Sequence, residues 1–420
     1  MTDQTNTPEL RFPEFKKEWQ CNTLDNCCYK ISDGIHSTPI YSKSGDFSFI
    51  NGNNLINGKI HFENAKLVDS KEALKHKRNL TYNETILLSI NGTIGNIALY
   101  RGEKIILGKS AAYINIKANF LNPLFLYYFL ETNSLQRYFR SELTGTTIKN
   151  LSIKSIKKTK LYIPNITEQR KIGDFFSKLD QQIELEEKKL ELLEQQKKGY
   201  MQKIFSQESI FKDENGNSYP KWKSKKIKEL FNVIDGDRGK NYPSEKDFYD
   251  KGHTLFLDTG NVTKNGFLFN RNRFIDKEKD DMLRKGKLEL NDFVITSRGT
   301  LGNIGFYGQN IHHKYPNIRI NSAMLILRPL NNKFNNQYLY FLLKNDVIDT
   351  FMKHYRVGSA QPHITKKDFG NMKISVIIDI NEQRKIAKFL TIIDKLVINQ
   401  SNKVELLKQR KQGLLQKMFI

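Results

Sequence analysis

The sequence predicts an α+β protein: two tandem, pseudo-two-fold-related α/β globular domains separated by two long antiparallel coiled-coil helices. Three observations carry this. One helical stretch occurs twice at a constant spacing, and its apolar residues keep a coiled-coil period. The segment ahead of each copy is dense in short β-type runs and shares motifs with its counterpart at a spacing that drifts.

The duplicated stretch comes first. Glu168-Gln169-Arg170-Lys171-Ile172 recurs letter for letter as Glu382-Gln383-Arg384-Lys385-Ile386, and ELLEQQKKGYMQKIF at 191–205 returns as ELLKQRKQGLLQKMF at 405–419. Both matches lie 214 residues apart (382 − 168 and 405 − 191), so nothing has been inserted or lost between them. A loop drifts in length, whereas a helix whose face must meet a partner cannot. Both copies, 167–205 and its counterpart, therefore read as helices of about 38 residues, roughly 57 Å long.

Alternating steps of four and three from Ile172 meet Phe176, Leu179, Ile183, Glu186, Leu190, Leu193, Lys197, Tyr200 and Ile204. The same steps from Ile386 meet Leu390, Ile393, Val397, Gln400, Val404, Leu407, Lys411, Leu414 and Met418. Both series are apolar except at the fifth and eighth positions. That is a coiled-coil seam whose polar members, Glu186, Gln400, Lys197 and Lys411, either fix register or face partners.

Composition narrows the partners. The chain carries 68 Lys and Arg against 45 Asp and Glu, a net charge of +23, which favours a polyanion such as DNA, RNA or an acidic membrane surface. The longest apolar run, 123–130, falls far short of the ~18 residues of a spanning helix, and the polar start is no signal peptide. Cys21, Cys27 and Cys28 cannot build a disulfide framework, and the adjacent pair lacks zinc-ligand spacing. Reduced thiols in a cytoplasm are the expectation.

In order, residues 1–18 read as a lead-in, 19–164 as the first globular domain, 165–206 as the first spacer helix and 207–219 as a polar linker. Residues 220–378 read as the second globular domain and 379–420 as the second spacer helix. In the first domain, β-type runs at 47–50, 86–90, 97–100 and 112–116 are separated by the Asn57-Gly58 and Asn91-Gly92 turns. A helix is expected over 123–139, with Asn122 as N-cap and Pro123 in its first turn. The second domain replays the first: Trp222 answers to Trp19, and Gly299-Thr-Leu-Gly-Asn-Ile304 to Gly92-Thr-Ile-Gly-Asn-Ile97. Because each domain precedes its own helix and the linker is short, the helices are expected to run antiparallel with a domain at each end.

Two related, basic, loop-variable heads suit a ligand read in two separated pieces, and dimeric readers of duplex DNA place their heads one turn, ~34–36 Å, apart. Basic side chains would anchor on phosphate while loop residues read base edges. The candidates in the first head are His36 and Thr38, Asn91 and Thr93, and Thr146 and Lys149. In the second they are Arg238 and Lys240, Arg298 and Thr300, and Gln361 and His363. Arg298 stands where the first head has Asn91, inside an otherwise matching turn. Arg suits guanine O6/N7 and Asn suits adenine N6/N7; the alternative is a structural turn with a solvated variable residue. His36 and His363 have the same bland alternative as polar loop residues, and the lysine runs at 154–160 and 221–228 offer phosphate contacts.

Enzyme signatures fail on spacing. The Gly102 to Ser110 stretch has five residues between its glycines where a P-loop needs four. Asn122-Pro123-Leu124-Phe125 departs from the amino-methyltransferase motif at its third residue, and helix capping accounts for it.

On these features the whole chain resembles the specificity (S) subunit of a type I restriction–modification system. The resemblance rests on the tandem unit, on Pro164 followed by Glu168-Gln169-Arg170-Lys171-Ile172, and on the two Gly-Thr-(Ile/Leu)-Gly-Asn turns. The second copy departs in having Asp379-Ile380 where a proline is expected, which alters only the start of the helix. The resemblance implies a non-catalytic subunit with two target-recognition domains that read an asymmetric bipartite site in double-stranded DNA. It also implies a complex with two methyltransferase subunits, which flip and methylate adenine, and with ATP-driven restriction subunits. The conserved helices, at Glu168, Gln169, Arg170, Glu382, Gln383 and Arg384, would be where the methyltransferases dock. No cofactor would be bound by this chain; S-adenosylmethionine, ATP and Mg would serve the partners. The competing readings are a stand-alone DNA methyltransferase or nuclease with an unrecognised site, and a sequence-blind nucleic-acid binder.

Overall fold

The computed structural model describes residues 6–145, 149–209, 211–356 and 363–420. The two long helices are Ile166–Phe205, 40 residues, and Ile380–Met418, 39 residues. Both start the same way. Asn165 Oδ1 accepts from Glu168 N at 3.0 Å, and Asp379 Oδ1 accepts from Asn381 N at 2.8 Å and Glu382 N at 3.1 Å. A side-chain oxygen thus satisfies the first orphan donors of each helix, and the lack of a proline in the second copy leaves the cap intact.

Each head carries the same set of sheets. In the first, the strands Cys28–Asp33, Ala111–Ile116, Thr85–Ser89 and Ile97–Leu99 lie side by side in that order; in the second, Phe231–Asp235, Met324–Pro329, Phe293–Thr296 and Ile304–Phe306 repeat it. A second sheet pairs Phe47–Ile50 in parallel with Ile105–Leu107, and Thr254–Leu257 in parallel with Ile318–Ile320. A two-stranded ribbon joins Gln20–Thr23 to Lys160–Ile163, and Lys223–Lys226 to Lys373–Val376. The central strands Thr85–Ser89 and Phe293–Thr296 are buried throughout, as strands covered on both faces must be.

The drifting spacing has local causes. One extra residue in the first head is absorbed by a bulge opposite Asn115 and Ile116, where Lys30 and Cys28 pair and exposed Tyr29 is passed over. The second head adds the six-residue helix Gln309–Lys314 ahead of its parallel strand.

The helix expected over 123–139 is two helices, Pro123–Leu130 and Asn133–Ser141. Thr132 breaks it: its hydroxyl donates to Phe129 O at 2.7 Å and accepts from Leu135 N at 3.4 Å, capping the second piece. Asn345 does the same in the second head by accepting from Val347 N and Ile348 N. The cap expected at Asn122 is present, with Phe125 N donating at 3.0 Å, and Asn335 repeats it for Tyr338 N. Cys27 and Cys28 are buried free thiols, and burial pushes their pKa up to about 11 and about 12, so they are inert packing residues.

The chain forms two compact units whose boundaries cross the repeat. One comprises the residues up to Lys189 with Gln400–Ile420, the other Leu190–Asn399. The reason is in the cores. Leu415, Met418 and Phe419, from the end of the second long helix, lie in the core of the first head beside Trp19, Phe125, Ile172 and Phe176. Ile204 and Phe205, from the end of the first long helix, lie in the core of the second beside Phe231, Tyr338, Ile386 and Leu390.

Inside each unit the two helices run antiparallel. In the first, Gln400 meets Glu186, Lys411 meets Asp180 and Phe419 meets Phe176. In the second, Lys197 pairs with Asp394 and Tyr200 stacks edge-on against Phe389. The polar seam residues therefore face the opposite helix and set register. Gln400 Nε2 donates to Glu186 O at 2.9 Å and Oε2 at 2.7 Å, and Lys403 closes on the same carboxylate. Lys411 bridges Glu131 at 2.8 Å and Asp180 at 2.7 Å. Burial pushes the Glu131 carboxyl up despite Lys411; burial also opposes the charge on Lys411, but the two acids hold that ammonium above its usual range.

Lys411→Met leaves Glu131 and Asp180 side by side without their cation. The expected loss is roughly 3 kcal/mol in a chemical denaturation of the full chain. The loss should be smaller in mildly acid buffer, where Glu131 takes up a proton; an unchanged midpoint in alkaline buffer would show that the seam lysine carries no register energy.

Candidate nucleic-acid interface

In the first head the predicted loops gather at one end of the four-stranded sheet. Gly34 N donates to Ala111 O at 3.0 Å, Ile90 N to Ser110 O at 2.9 Å and Leu151 N to Ile90 O at 2.9 Å. These bonds bring the segments after Asp33, after Ser89 and at 149–151 together around Ser110 and Ala111. His36 is exposed and bonded to Asp33 at 2.8 Å, and Thr38 and Lys149 are exposed. Asn91 and Thr93 serve the head itself. With its amide turned to face these acceptors, Asn91 donates to Ile90 O, Lys149 O and Asn150 Oδ1. Thr93 Oγ1 donates to Gly52 O at 3.1 Å. Thr146 lies outside the described residues.

The second head assembles the matching loops into a basic cleft of about 630 Å³. Arg238, His363, Lys228, Lys366 and Lys367 line it together with Asp235. Ile364 N donates to Ser297 O at 3.0 Å, which lays the 363 segment beside the Arg298 turn. Arg298 is exposed; among the described residues only its Nε is bonded, to His363 Nδ1 at 3.3 Å, which leaves the forked end of the guanidinium open. Asp237 fixes the neighbouring loop by accepting from Arg238 N at 2.7 Å and from the backbone of Arg284 and Lys285. Burial opposes the charge on Asp237, but these three donors hold its carboxyl below the usual range. Lys240 and Thr300 are exposed. Gln361 lies outside the described residues. In the first head Asp25 stands in the place of Lys228 and pairs with Lys157 at 3.2 Å. Lys366 and Lys367 escaped the sequence reading; their only signal was the helix-capping Thr365 before them, which marks a turn and no ligand. Among the described residues no cluster of His, Cys, Asp and Glu could hold a metal ion.

Comparison with known proteins bears on these two heads directly. The family model for the type I restriction modification DNA specificity domain matches twice, at residues 16–195 and 219–409. The chain belongs to that family. It is similar to the type I restriction enzyme MjaVIII specificity subunit of Methanocaldococcus jannaschii, 26% identical over 79% of this chain and 77% of that protein. It is also similar to the EcoBI specificity subunit of Escherichia coli, 22% identical over 80% and 73%. The crystal structure of the type I restriction-modification S subunit from M. genitalium shares the fold, with a TM-score of 0.61 and 20% identity over 99% of both chains.

In this pair of specificity domains the Glu-Gln part of the motif has an internal duty, which corrects the expectation that Glu168, Gln169, Glu382 and Gln383 contact a partner. Glu168 is fully buried; its carboxylate accepts from Arg11 Nε at 2.6 Å, from a second Arg11 nitrogen at 2.7 Å and from Trp19 Nε1 at 3.3 Å. Gln169 Oε1 accepts from Asn122 N at 2.8 Å, while its Nε2 donates to Phe120 O at 3.1 Å and Pro164 O at 2.9 Å. Gln383 repeats the clasp, accepting from Asn335 N at 2.7 Å and donating to Ile377 O at 3.0 Å. Glu382 accepts from Trp222 Nε1 at 3.4 Å, but its second oxygen is buried with no hydrogen-bond partner among the described residues. Buried and engaged inside the heads, these four side chains have nothing to offer another subunit. Arg170 and Arg384 alone of the six point to solvent. The exposed apolar residues of the long helices are different ones, among them Leu192 and Leu406, which occupy equivalent positions of the two copies.

The two buried glutamates should respond oppositely to one change. Glu168→Gln breaks a buried ion pair with Arg11 and should destabilise the specificity domain by roughly 3 kcal/mol. At Glu382, burial raises the carboxyl pKa, with the Trp222 bond opposing. A raised carboxyl pKa means stability is fully present below the unfolded pKa and is lost as pH rises through the folded one. Glu382→Gln should therefore raise the melting temperature in neutral and alkaline buffer and leave it unchanged in acid. Melting curves of the two variants across pH check both signs.

Proposed function

We propose that the chain is the sequence-specific DNA-binding subunit of a type I restriction–modification complex. Each head reads one half of an asymmetric bipartite target, and the long helices set the gap between the halves. The observation that supports this most is the repeated sheet plan with different chemistry at the loop end: Asn91 tied into the first head, Arg298 open beside His363 and a basic cleft in the second. The net charge of +23 supplies the sequence-independent attraction to phosphate. Methyltransferase subunits, using S-adenosylmethionine, and restriction subunits, using ATP and Mg, would do the chemistry on a target this chain selects. Leu192, Leu406 and the solvent-facing Arg170 and Arg384 suit a docking surface for methyltransferases along the helices.

The deciding experiment assays methyl transfer to DNA by the purified chain with and without a methyltransferase partner. Transfer is expected only with the partner; robust transfer by the chain alone would replace this reading with that of a stand-alone methyltransferase. Competition with excess random DNA separates a specific reader, which keeps a preferred site, from a sequence-blind binder.

Arg298→Ala should relax discrimination at one base pair of one half-site, by about 1–3 kcal/mol, and leave the other half unchanged. Adding helical residues to one long helix should change the length of the gap and neither half-site. Methylome sequencing of cells carrying each variant reads both outcomes.

A further inference from the structure

From residue 41 to 100 the first head runs in step with 248–307 of the second, 207 positions on, with no insertion or deletion. The backbone plan is shared: strands Phe47–Ile50 and Thr254–Leu257 lead into the single turns Gly52–Asn54 and Thr259–Asn261. The side chains that hold this frame are the same or close. Asn54 Oδ1 accepts from Asn51 N at 2.9 Å and its Nδ2 donates to His61 O at 3.0 Å. Asn261 accepts from Asp258 N at 3.0 Å and donates to Leu268 O at 3.0 Å. Asn96 donates to Leu55 O at 2.8 Å and Asn303 to Val262 O at 2.9 Å. The aromatic floor recurs with its cation. Tyr41 packs on Phe49 with Lys66 Nζ 4.4 Å from the Tyr41 ring; Phe248 packs on Phe256 with the Arg273 guanidinium 4.0 Å from the Phe248 ring.

On this constant frame the wall has been rebuilt. In the first head Asn51, Asn53, His61 and Asn64 line a cleft of about 370 Å³. In the second, Asp258, Gly260, Leu268 and Arg271 stand at those positions. Asn53, His61 and Asn64 are exposed, and among the described residues their side chains make no hydrogen bond. Asn64 sits at a φ of 50–70°, at +66°, a conformation few side chains adopt. The frame thus holds three open polar groups above an aromatic floor. The cleft adjoins the loop cluster, since Gly52 N donates to Ser110 Oγ at 2.9 Å and Gly52 O accepts from Thr93.

We propose that this cleft is a base-reading element of the first head, and that the wall carrying Arg271 is the matching element of the second. The inference rests on the DNA-reading role proposed above and adds residues outside the predicted loops. The amides of Asn53 and Asn64 fit the N6/N7 edge of adenine, and Arg271 fits O6/N7 of guanine. Lys66, held over the Tyr41 ring, stands ready for an adjoining phosphate, whereas Arg273 is already paired with Glu245.

The test expresses the full chain with its methyltransferase partner and maps methylated sites for the parent and for Asn53→Ala, His61→Ala, Asn64→Gly and Arg271→Ala. Glycine keeps the left-handed backbone at residue 64 while removing the amide. The first-head variants should lose about tenfold or more discrimination at one or two base pairs of one half-site. Arg271→Ala should do so in the other half, and the untouched half of each target reports that the chain has folded. A methylated motif identical to the parent's in all four variants overturns the proposal while leaving the DNA-reading role standing. A parent with no preferred sequence overturns both. If a variant loses methylation altogether, competition binding of the purified complex decides: loss for the parent target alone supports the cleft, and equal loss for random DNA overturns it.

Discussion

Everything in this molecule depends on how a head is joined to its helix, and one side chain governs that joint in each copy. Gln169 and Gln383 are 1% and 0% exposed, so their amides must find partners inside the protein. Gln169 does so by bonding three backbone groups from two places in the head: Phe120 and Asn122 in the loop before the aromatic helix, and Pro164 at the end of the ribbon strand. Only one orientation of helix against head satisfies all three. Asn122 in turn caps the aromatic helix Pro123–Leu130, whose Phe125 and Tyr128 pack on Phe419 and Phe176 of the long helices. The clasp therefore ties helix direction to core packing, and a rotation of the head would break both at once.

Register between the helices is set by the same logic of buried polar groups. Apolar seam residues attract at many offsets, but a lysine needs its carboxylate at one. Lys197 with Asp394 and Lys411 with Asp180 are equivalent pairs, one in each unit. In the first unit Glu186 also meets Gln400, and these two are each other's equivalents in the repeat. A repeat folded back on itself must bring some position against its own copy. A glutamate in both copies would place like charges there; the glutamine removes that repulsion and donates instead. The polar interruptions, which weaken a seam judged by hydrophobicity, are what make it specific.

Much of this was legible in the sequence because it was periodic or duplicated. The long helices begin and end within a residue or two of the matched stretches, and the seam positions are buried or half-buried except Tyr200, which still stacks on Phe389. The helix break at Thr132 escaped notice since threonine is unremarkable in a helix until its hydroxyl finds Phe129 O. Glu168 and Gln169 were misjudged for a deeper reason. A charged or amide residue in a repeated motif looks exposed from the sequence, and its burial depends on Arg11, Trp19 and Asn122, which lie 47 to 157 residues away in the chain. The candidate loops were found from their turn residues, yet which side chains are already engaged followed from tertiary bonds: the Asn91 amide is tied into the head, Thr93 bonds Gly52 O while staying exposed, and the forked end of Arg298 is open.

The places where the two repeats differ in length complete the physical picture. The spacing of equivalent residues shifts at a bulge by Tyr29, in the loops that carry His36 and Arg238, and at the helix Gln309–Lys314, and by a single residue at the start of the long helix. None of these shifts falls within the seam, and the clasp absorbs the last of them, since Gln169 reaches back five residues to Pro164 O and Gln383 six to Ile377 O. Loop length and wall chemistry can therefore change without disturbing the hydrogen bonds that orient a head or the ion pairs that align the helices. Separation of this kind is a requirement on any reader built from a duplicated unit. If the residues that choose a target also held the helix, each change of target would alter the geometry in which both halves are presented. Among the described residues Asn53, His61 and Asn64 bear no structural bond through their side chains, while the amides of Gln169 and Gln383 are bonded wholly within their heads.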